Sequence, residues 1–199
     1  MAAAGLNTSE SIQQAFHYLF PNEVPELKRL ALFLPENSMV VNIGAGAGTS
    51  TLAFLEARPD LRVVSIDKEA KPSPLGSLHS ERKVIVAAGY IHRLEQIEGD
   101  SREVGRKWKR PPVDLVFVDG DHSLEGCAGD VLCWLRHLKS GGLMVLHDYG
   151  KENLYPEGPR EDAPHPYPFP EIDLVVDRML RPNFTLTGQV ESLVSFRVP

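Results

Sequence analysis

The stretch Val40-Val41-Asn42-Ile43-Gly44-Ala45-Gly46-Ala47-Gly48-Thr49-Ser50-Thr51 decides the fold. Met39, Val40, Val41 and Ile43 form an apolar run that predicts a strand buried on both faces. The run breaks into Gly44-Ala45-Gly46-Ala47-Gly48, and Thr49-Ser50-Thr51 then leads into the apolar-periodic Leu52, Phe54 and Leu55. Strand, glycine turn and helix make the opening unit of an α/β fold with a ligand at the turn. Glycine at 44 and 46 opens backbone angles closed to other residues and lets a ligand approach the main chain. The helix start adds unpaired N–H groups and a positive dipole end. A purely structural turn would also accept such a pentapeptide, so the other strand ends must decide.

Working outward, residues 9–20 carry Ile12, Ala15, Phe16, Leu19 and Phe20 at helical spacing, and residues 25–34 carry Leu27, Leu30, Ala31 and Leu34. Both predicted helices precede the first strand. After the glycine loop the pattern predicts a helix to 57, a strand at 62–67, a helix at 78–88, a strand at 94–97 and a short helix at 102–108. The clearest strand, 113–119, follows Pro111-Pro112. A long helix is expected over 124–139, closed by Ser140-Gly141-Gly142, then a strand at 143–146. Residues 150–170 show little pattern. A helix at 172–180 and two strands at 184–190 and 193–198 complete the chain. Alternation of this kind predicts an α/β, doubly wound, mostly parallel seven-stranded sheet ending in an antiparallel strand pair. We read residues 1–199 as one domain, with a helical cap over 1–35 and the core over 36–199.

Composition narrows the function. The chain has 199 residues, 42% apolar and 24% charged, which is enough for one real core. No stretch reaches the roughly 18 apolar residues of a membrane span, and the first residues lack the basic and apolar regions of a secretory signal. The net charge of −6 argues against a nucleic-acid partner. The locally basic Gly105-Arg106-Lys107-Trp108-Lys109-Arg110 reads as a solvated helix end. Cys127 and Cys133 lie six positions apart in one expected helix and point different ways, so they read as buried thiols in a reducing, cytoplasmic setting.

Five strand ends carry polar or glycine residues: the glycine loop, Asp67, Asp100-Ser101, Asp119-Gly120-Asp121-His122 and His147-Asp148. In a doubly wound sheet these all face one crevice beyond the carboxyl ends of the strands. Asp67 stands 21 positions after Gly46, close to the spacing of about 20 at which an acid takes the hydrogen bonds of a ribose diol. Asp100 and Ser101 suit either an adenine amine or the cap of the next helix.

These motifs together resemble the class I S-adenosylmethionine-dependent methyltransferases. The similarity is strongest to small O-methyltransferase-like domains carrying the DGDHS and HDY pair, and it covers residues 36–199. The resemblance implies a Rossmann-like fold and S-adenosylmethionine (SAM) as cofactor. It places Gly44, Ala45 and Gly46 under the methionine part, Asp67 on the ribose, Asp100 and Ser101 by the adenine, and Asp119 beside the cofactor. It also implies that Asp119, His147 and Asp148 hold a divalent metal, Mg²⁺ or Mn²⁺. Asp121 and His122 are then the general-base candidates, His122 because imidazole titrates near neutrality and Asp121 only with a raised pKa or through a metal-bound oxygen. A helix-cap or turn role would equally account for His122. Asn42 departs from the family, which usually has an acid there, and the proline-rich 72–76 stretch departs too.

The expected activity is O-methylation of a hydroxyl on a small molecule, with or without the assistance of a metal, by a monomer or homodimer with no membrane partner. The alternative is a module that retains the cofactor, or only the fold, without catalysis; Asn42 favours it. A nicotinamide-dependent dehydrogenase fits less well, because Thr49 stands where GxGxxG ends. His165 and Tyr167 in the 150–170 segment read as surface loop or as a closure over substrate, and Tyr149 as packing or substrate wall.

Overall fold

The computed structural model describes residues 8–16, 18–69, 71–72, 76–150 and 169–199. Helices α1 (Ser9–Phe16) and α2 (Glu23–Leu32) come first, followed by β1 (Met39–Ile43), α3 (Thr49–Ala57), β2 (Arg62–Asp67) and α4 (Leu78–Ala87). Then come β3 (Leu94–Glu98), α5 (Ser101–Arg106), β4 (Val113–Val118), α6 (Leu124–Leu135) and β5 (Leu138–Leu146). The last described part is α7 (Pro170–Val175), which runs on as a π-helical turn (Val176–Leu180), then β6 (Thr185–Val190) and β7 (Leu193–Arg197).

Among the described residues the strands form one seven-stranded sheet in the order β3-β2-β1-β4-β5-β7-β6. β1 pairs in parallel with β2 and β4, and β5 pairs in parallel with β4 but antiparallel with β7. The fold class read from the sequence is therefore the observed one. The order reverses between β1 and β4, which is where a doubly wound sheet opens a crevice.

The two-residue period of a strand divides the core between the two faces. Val40, Leu115, Phe117, Leu143 and Val145 pack with α1 to α4 on one side. Val41, Ile43, Val116, Val118, Met144 and Leu146 pack with α6 and α7 on the other. β4 is buried at every position because both of its faces are covered. Phe54 and Phe117 meet edge to face at 6.1 Å on the first side.

Several boundaries differ from expectation. The helix expected over 124–139 stops at Leu135, and β5 already starts at Leu138. Leu138 pairs with Val113, and Gly141 takes φ +78° where the register shifts, so the glycine pair is a bulge inside the strand. The first helix ends at Phe16, and the second begins at Glu23, with Pro25 in its first turn. The proposed roles of His165 and Tyr167 lie outside the described residues, as does most of the 72–76 stretch.

Candidate functional site

The turn after β1 is shaped by two close approaches. Gly44 has φ +93°, and a Cβ there would lie 2.1 Å from the Asp119 carbonyl oxygen. The main chains leaving β1 and β4 thus touch where the sheet opens. Gly46 has φ +50° and a Cβ there would meet nothing within 4 Å among the described residues. It borders a cleft of about 510 Å³ at the carboxyl ends of the strands, which Asp67, Ser101, Asp119, His122 and Asp148 also line.

Asp67 ends β2. Its Oδ2 accepts the Ala45 N–H at 2.7 Å, and its Oδ1 accepts the Glu69 N–H at 2.8 Å. The carboxylate thereby ties the β2 end to the glycine loop while lining the cleft. Asp100 ends β3 and caps α5, accepting the N–H groups of Arg102 and Glu103. Arg102 also grips it through Nε and Nη2, at 3.1 and 2.8 Å, and Lys68 approaches to 3.0 Å. The Arg102 guanidinium, against burial and with help from Lys68, holds the Asp100 carboxyl well below the usual carboxylate range. Of the two roles open to Asp100, the structure shows the cap. Ser101 lines the cleft and donates its hydroxyl to Asp130, a buried carboxyl on α6. Burial pushes Asp130 up to about 6, against the Ser101 hydrogen bond and the Arg102 charge.

The ends of β4 and β5 bring four side chains together. His122 Nε2 lies 2.9 Å from Asp148 Oδ2 and 3.6 Å from Asp119 Oδ1. His147 Nδ1 lies 2.8 Å from Asp148 Oδ1 and 3.1 Å from Asp119 Oδ1, while its Nε2 lies 2.9 Å from Glu23 Oε2. Burial works to lower His122, but the hydrogen bonds and charges of Asp119 and Asp148 carry it up to about 9. His147, deeper still, is raised well above its ordinary value because the charges of Asp148, Asp119 and Glu23 outweigh its burial. Carboxylates face both of its ring nitrogens and favour its charged form. Asp148 adopts φ +68°, a left-handed conformation that aspartate tolerates better than most residues and that points to a constrained strand end. The His122 ring stacks on Phe169 at 4.3 Å.

Of the metal set expected from sequence, Asp119 and Asp148 cluster with His122: donor atoms of the three all lie within 4.8 Å of one another. His147 faces carboxylates at both ring nitrogens, Asp148 and Asp119 at Nδ1 and Glu23 at Nε2. Of the two routes open to Asp121 as a base, its surroundings do not supply the raised pKa. Burial would raise its carboxyl, but the Ser123 side chain and N–H, with Lys68 and Arg102 nearby, hold it low. It forms a turn with Ser123 at 3.1 Å, and a Cβ at Gly126 would lie 2.2 Å from its Cγ.

Sequence reasoning missed Glu23 and Asp130. Glu23 looks like an ordinary first-turn acid. Asp130 left a legible trace, since Cys127, Asp130, Val131 and Trp134 share one buried helical stripe.

A family model described as a methyltransferase domain matches residues 41–149. The chain is 32% identical over 116 residues to a protein of Mycobacterium sp. (strain JLS) named for an inferred O-methyltransferase activity. It is 30% identical over 115 residues to trans-aconitate 2-methyltransferase of Azoarcus sp. (strain BH72). Each alignment takes in 57% of this chain but only 50% and 40% of the relative, so the chain spans about half the length of the curated relatives it matches. The O-methyltransferase TomG of Streptomyces achromogenes, solved with SAM, superposes with a TM-score of 0.72 at 19% identity, covering 100% of this chain and 92% of that one. An O-methyltransferase of Bacillus cereus, solved with S-adenosylhomocysteine (SAH), gives 0.68 at 17% identity, covering 99% and 92%. These two likenesses concern the fold. The domain match takes in more than half of the chain and spans the glycine loop, Asp67, Asp119 and Asp148, so the protein belongs to the methyltransferase domain family.

Proposed function

We propose that the protein transfers a methyl group from SAM to a hydroxyl of a small molecule. One observation carries the reading: a single cleft joins the glycine loop and Asp67 at one end to Asp119, His122 and Asp148 at the other. The open space at Gly46 suits a ligand against the main chain, and Asp67 is placed to accept a ribose diol. SAM supplies a methyl already activated on a sulfonium, so this chain has to align the reactants, exclude water and take a proton. His122 Nε2 takes the proton, and Asp119 and Asp148 hold the imidazolium that results. Because those carboxylates raise His122 to about 9, the rate should climb with pH toward that value. The net charge of −6 and the buried free thiols support a cytoplasmic protein with a small-molecule substrate rather than a nucleic acid.

The test is calorimetric titration with SAM and SAH on wild type and Asp67→Ala, followed by assay of SAH release with phenols, catechols and sugars. Binding that weakens about tenfold or more in Asp67→Ala fits one lost charged hydrogen bond of roughly 1.5–3 kcal/mol. No binding by the wild type would sink the reading and favour the fold-only alternative. Cofactor binding without turnover on any hydroxyl would favour the non-catalytic module.

A metal-assisted form rests on the convergence of Asp119, His122 and Asp148. Two carboxylates and an imidazole suit Mg²⁺ or, given the nitrogen donor, more readily Mn²⁺. Such an ion supplies Lewis acidity toward a substrate hydroxyl.

A further inference from the structure

Behind the glycine loop runs a buried polar chain that takes no part in the proton transfer proposed above. Asn42, Thr51 and Glu81 are all fully buried. The Asn42 amide donates to the Gly44 carbonyl at 3.1 Å and to Thr51 Oγ1 at 3.0 Å, and its oxygen accepts from Ser50 Oγ at 3.2 Å. Thr51 then donates its own proton to Glu81 Oε1 at 2.5 Å. Glu81 Oε2 accepts from Gln96 Nε2 at 2.6 Å, and the same nitrogen donates to the Leu78 carbonyl at 2.7 Å. The Thr51 hydroxyl and a Gln96 N–H are directed toward Glu81, one to each of its oxygens.

The direction of these bonds bears on the loop. If Thr51 could turn its proton toward Asn42, the amide could flip and set its oxygen against the Gly44 carbonyl. Glu81 prevents this by claiming the Thr51 proton, so Asn42 keeps one N–H on Gly44. The helix that carries Glu81 also braces the loop from its own N-terminus: Ser77 N–H donates to the Gly46 carbonyl at 2.9 Å. The carbonyls of Gly44 and Gly46 are thus both pinned to protein. In a planar trans peptide the following N–H points the opposite way, and the Ala45 N–H does so, meeting Asp67.

We propose that Glu81 is a positioning residue for cofactor binding, fixing the peptide planes of the glycine loop through Thr51 and Asn42. It supplies from α4 the single carboxylate of this scaffold, which the neutral Asn42 does not. The proposal rests on the reading that the cleft binds SAM. It requires that the network hold one carboxylate, because Asn42 and Glu81 share a single buried hydroxyl.

The experiment measures SAH affinity by calorimetry and Tm by thermal unfolding on the full chain. The variants are Glu81→Gln, Thr51→Val, Thr51→Ser, Asn42→Asp and the double variant Asn42→Asp with Glu81→Gln. We expect Glu81→Gln and Thr51→Val to weaken SAH binding roughly tenfold, the size of one lost buried hydrogen bond, and Thr51→Ser to retain it. Asn42→Asp should lower Tm and affinity less when added to Glu81→Gln than when added to wild type. Should Glu81→Gln fail to fold, the contrast between Thr51→Val and Thr51→Ser decides. Unchanged SAH binding in Glu81→Gln and Thr51→Val, or an Asn42→Asp penalty equal in both backgrounds, would overturn this inference alone. A wild-type chain that binds no SAH would overturn the cofactor reading and this inference with it.

Discussion

His147 and Glu23, 124 positions apart in the chain, meet through Nε2 and Oε2 at 2.9 Å, with side chains only 2% and 0% exposed. Glu23 Oε1 also accepts the N–H and hydroxyl of Ser192, at 2.8 and 2.7 Å, and Oε2 accepts the Phe20 N–H at 2.7 Å. One carboxylate therefore ties the N-terminal helices, the end of β5 and the turn before β7 to the residue that sits between Asp119 and Asp148. The helices before the first strand are part of the site's support.

Removing that carboxylate should be costly. Glu23→Ala leaves a buried imidazolium short of one counter-charge and strands the Ser192 donors, a situation worth about 3–5 kcal/mol. Glu23→Gln keeps hydrogen-bonding atoms but not the charge, and should fall between Glu23→Ala and wild type. Urea unfolding of the three proteins measures this. A Glu23→Ala protein within about 1 kcal/mol of wild type, the net worth of an ordinary hydrogen bond, would show that the pair contributes no more than that.

Stability should decline as pH rises from about 4.5 to 8. Burial raises Glu81 to about 7, against the hydrogen bonds of Thr51 and Gln96, and Asp130 to about 6. A carboxyl raised in the folded state contributes stability that is full below its unfolded value and is lost as pH passes its folded value. Each loss is on the order of 3 kcal/mol. His122, carried to about 9, acts in the same direction above neutrality. Carboxylates held low, Asp60 and Asp100 among them, act only below about pH 4, their ordinary range. Tm measured across this window should slope downward in wild type and less steeply in Glu81→Gln and Asp130→Asn. Parallel slopes in all three would refute the assignment.

How far the sequence could be read follows from these same groups. The glycine loop, the all-apolar strand at 113–118 and the acids at the strand ends were legible because each is a local pattern with a local physical cause. The place of Asp67 on the cleft followed from spacing and topology. The clustering of His122, rather than His147, with Asp119 and Asp148 was not legible. It depends on Glu23, which only the packing of α2 brings to β5. Glu81 was half legible: Leu78, Glu81 and Ile85 share the buried stripe of α4, so a charge stands where an apolar residue is expected. What the sequence withheld was the partner, since Thr51 and Gln96 approach from other elements. The boundary at Leu135 was misread because a glycine pair closes a helix in many chains but shapes a bulge here.

Two glycines of the loop should respond differently to substitution. Gly44→Ala would drive a Cβ into the Asp119 carbonyl at a φ of +93°, so the β1–β4 junction must open and Tm should fall sharply. Gly46→Val meets no atom of the described residues within 4 Å at its Cβ, and its φ of +50° lies in the left-handed region, which costs roughly 1–2 kcal/mol. Its branched side chain would occupy the cleft. Gly46→Val should therefore lose SAH binding with a modest change in Tm, and Gly44→Ala should lose both. Thermal unfolding with calorimetry separates them. Full SAH affinity in Gly46→Val would place the cofactor elsewhere.

The metal-assisted reading makes a prediction about which histidine matters. A cation between Asp119 and Asp148 has to displace the proton that these carboxylates keep on His122, whereas His147 is already held on both sides. Mn²⁺ titrated into wild type should bind and release a proton, seen as a dependence of the heat on buffer ionisation enthalpy. His122→Ala and Asp148→Asn should weaken Mn²⁺ binding at least about tenfold, as loss of one ligand of a small set does. His147→Gln should chiefly lower stability, because it removes the positive charge among Glu23, Asp119 and Asp148. If Mn²⁺ affinity instead falls in His147→Gln and survives in His122→Ala, the ligand set first read from the sequence is restored. If wild type binds no Mn²⁺ and SAH release is unchanged by a chelator, the two histidines serve these carboxylates without a metal and His122, in its neutral form, takes the proton unaided.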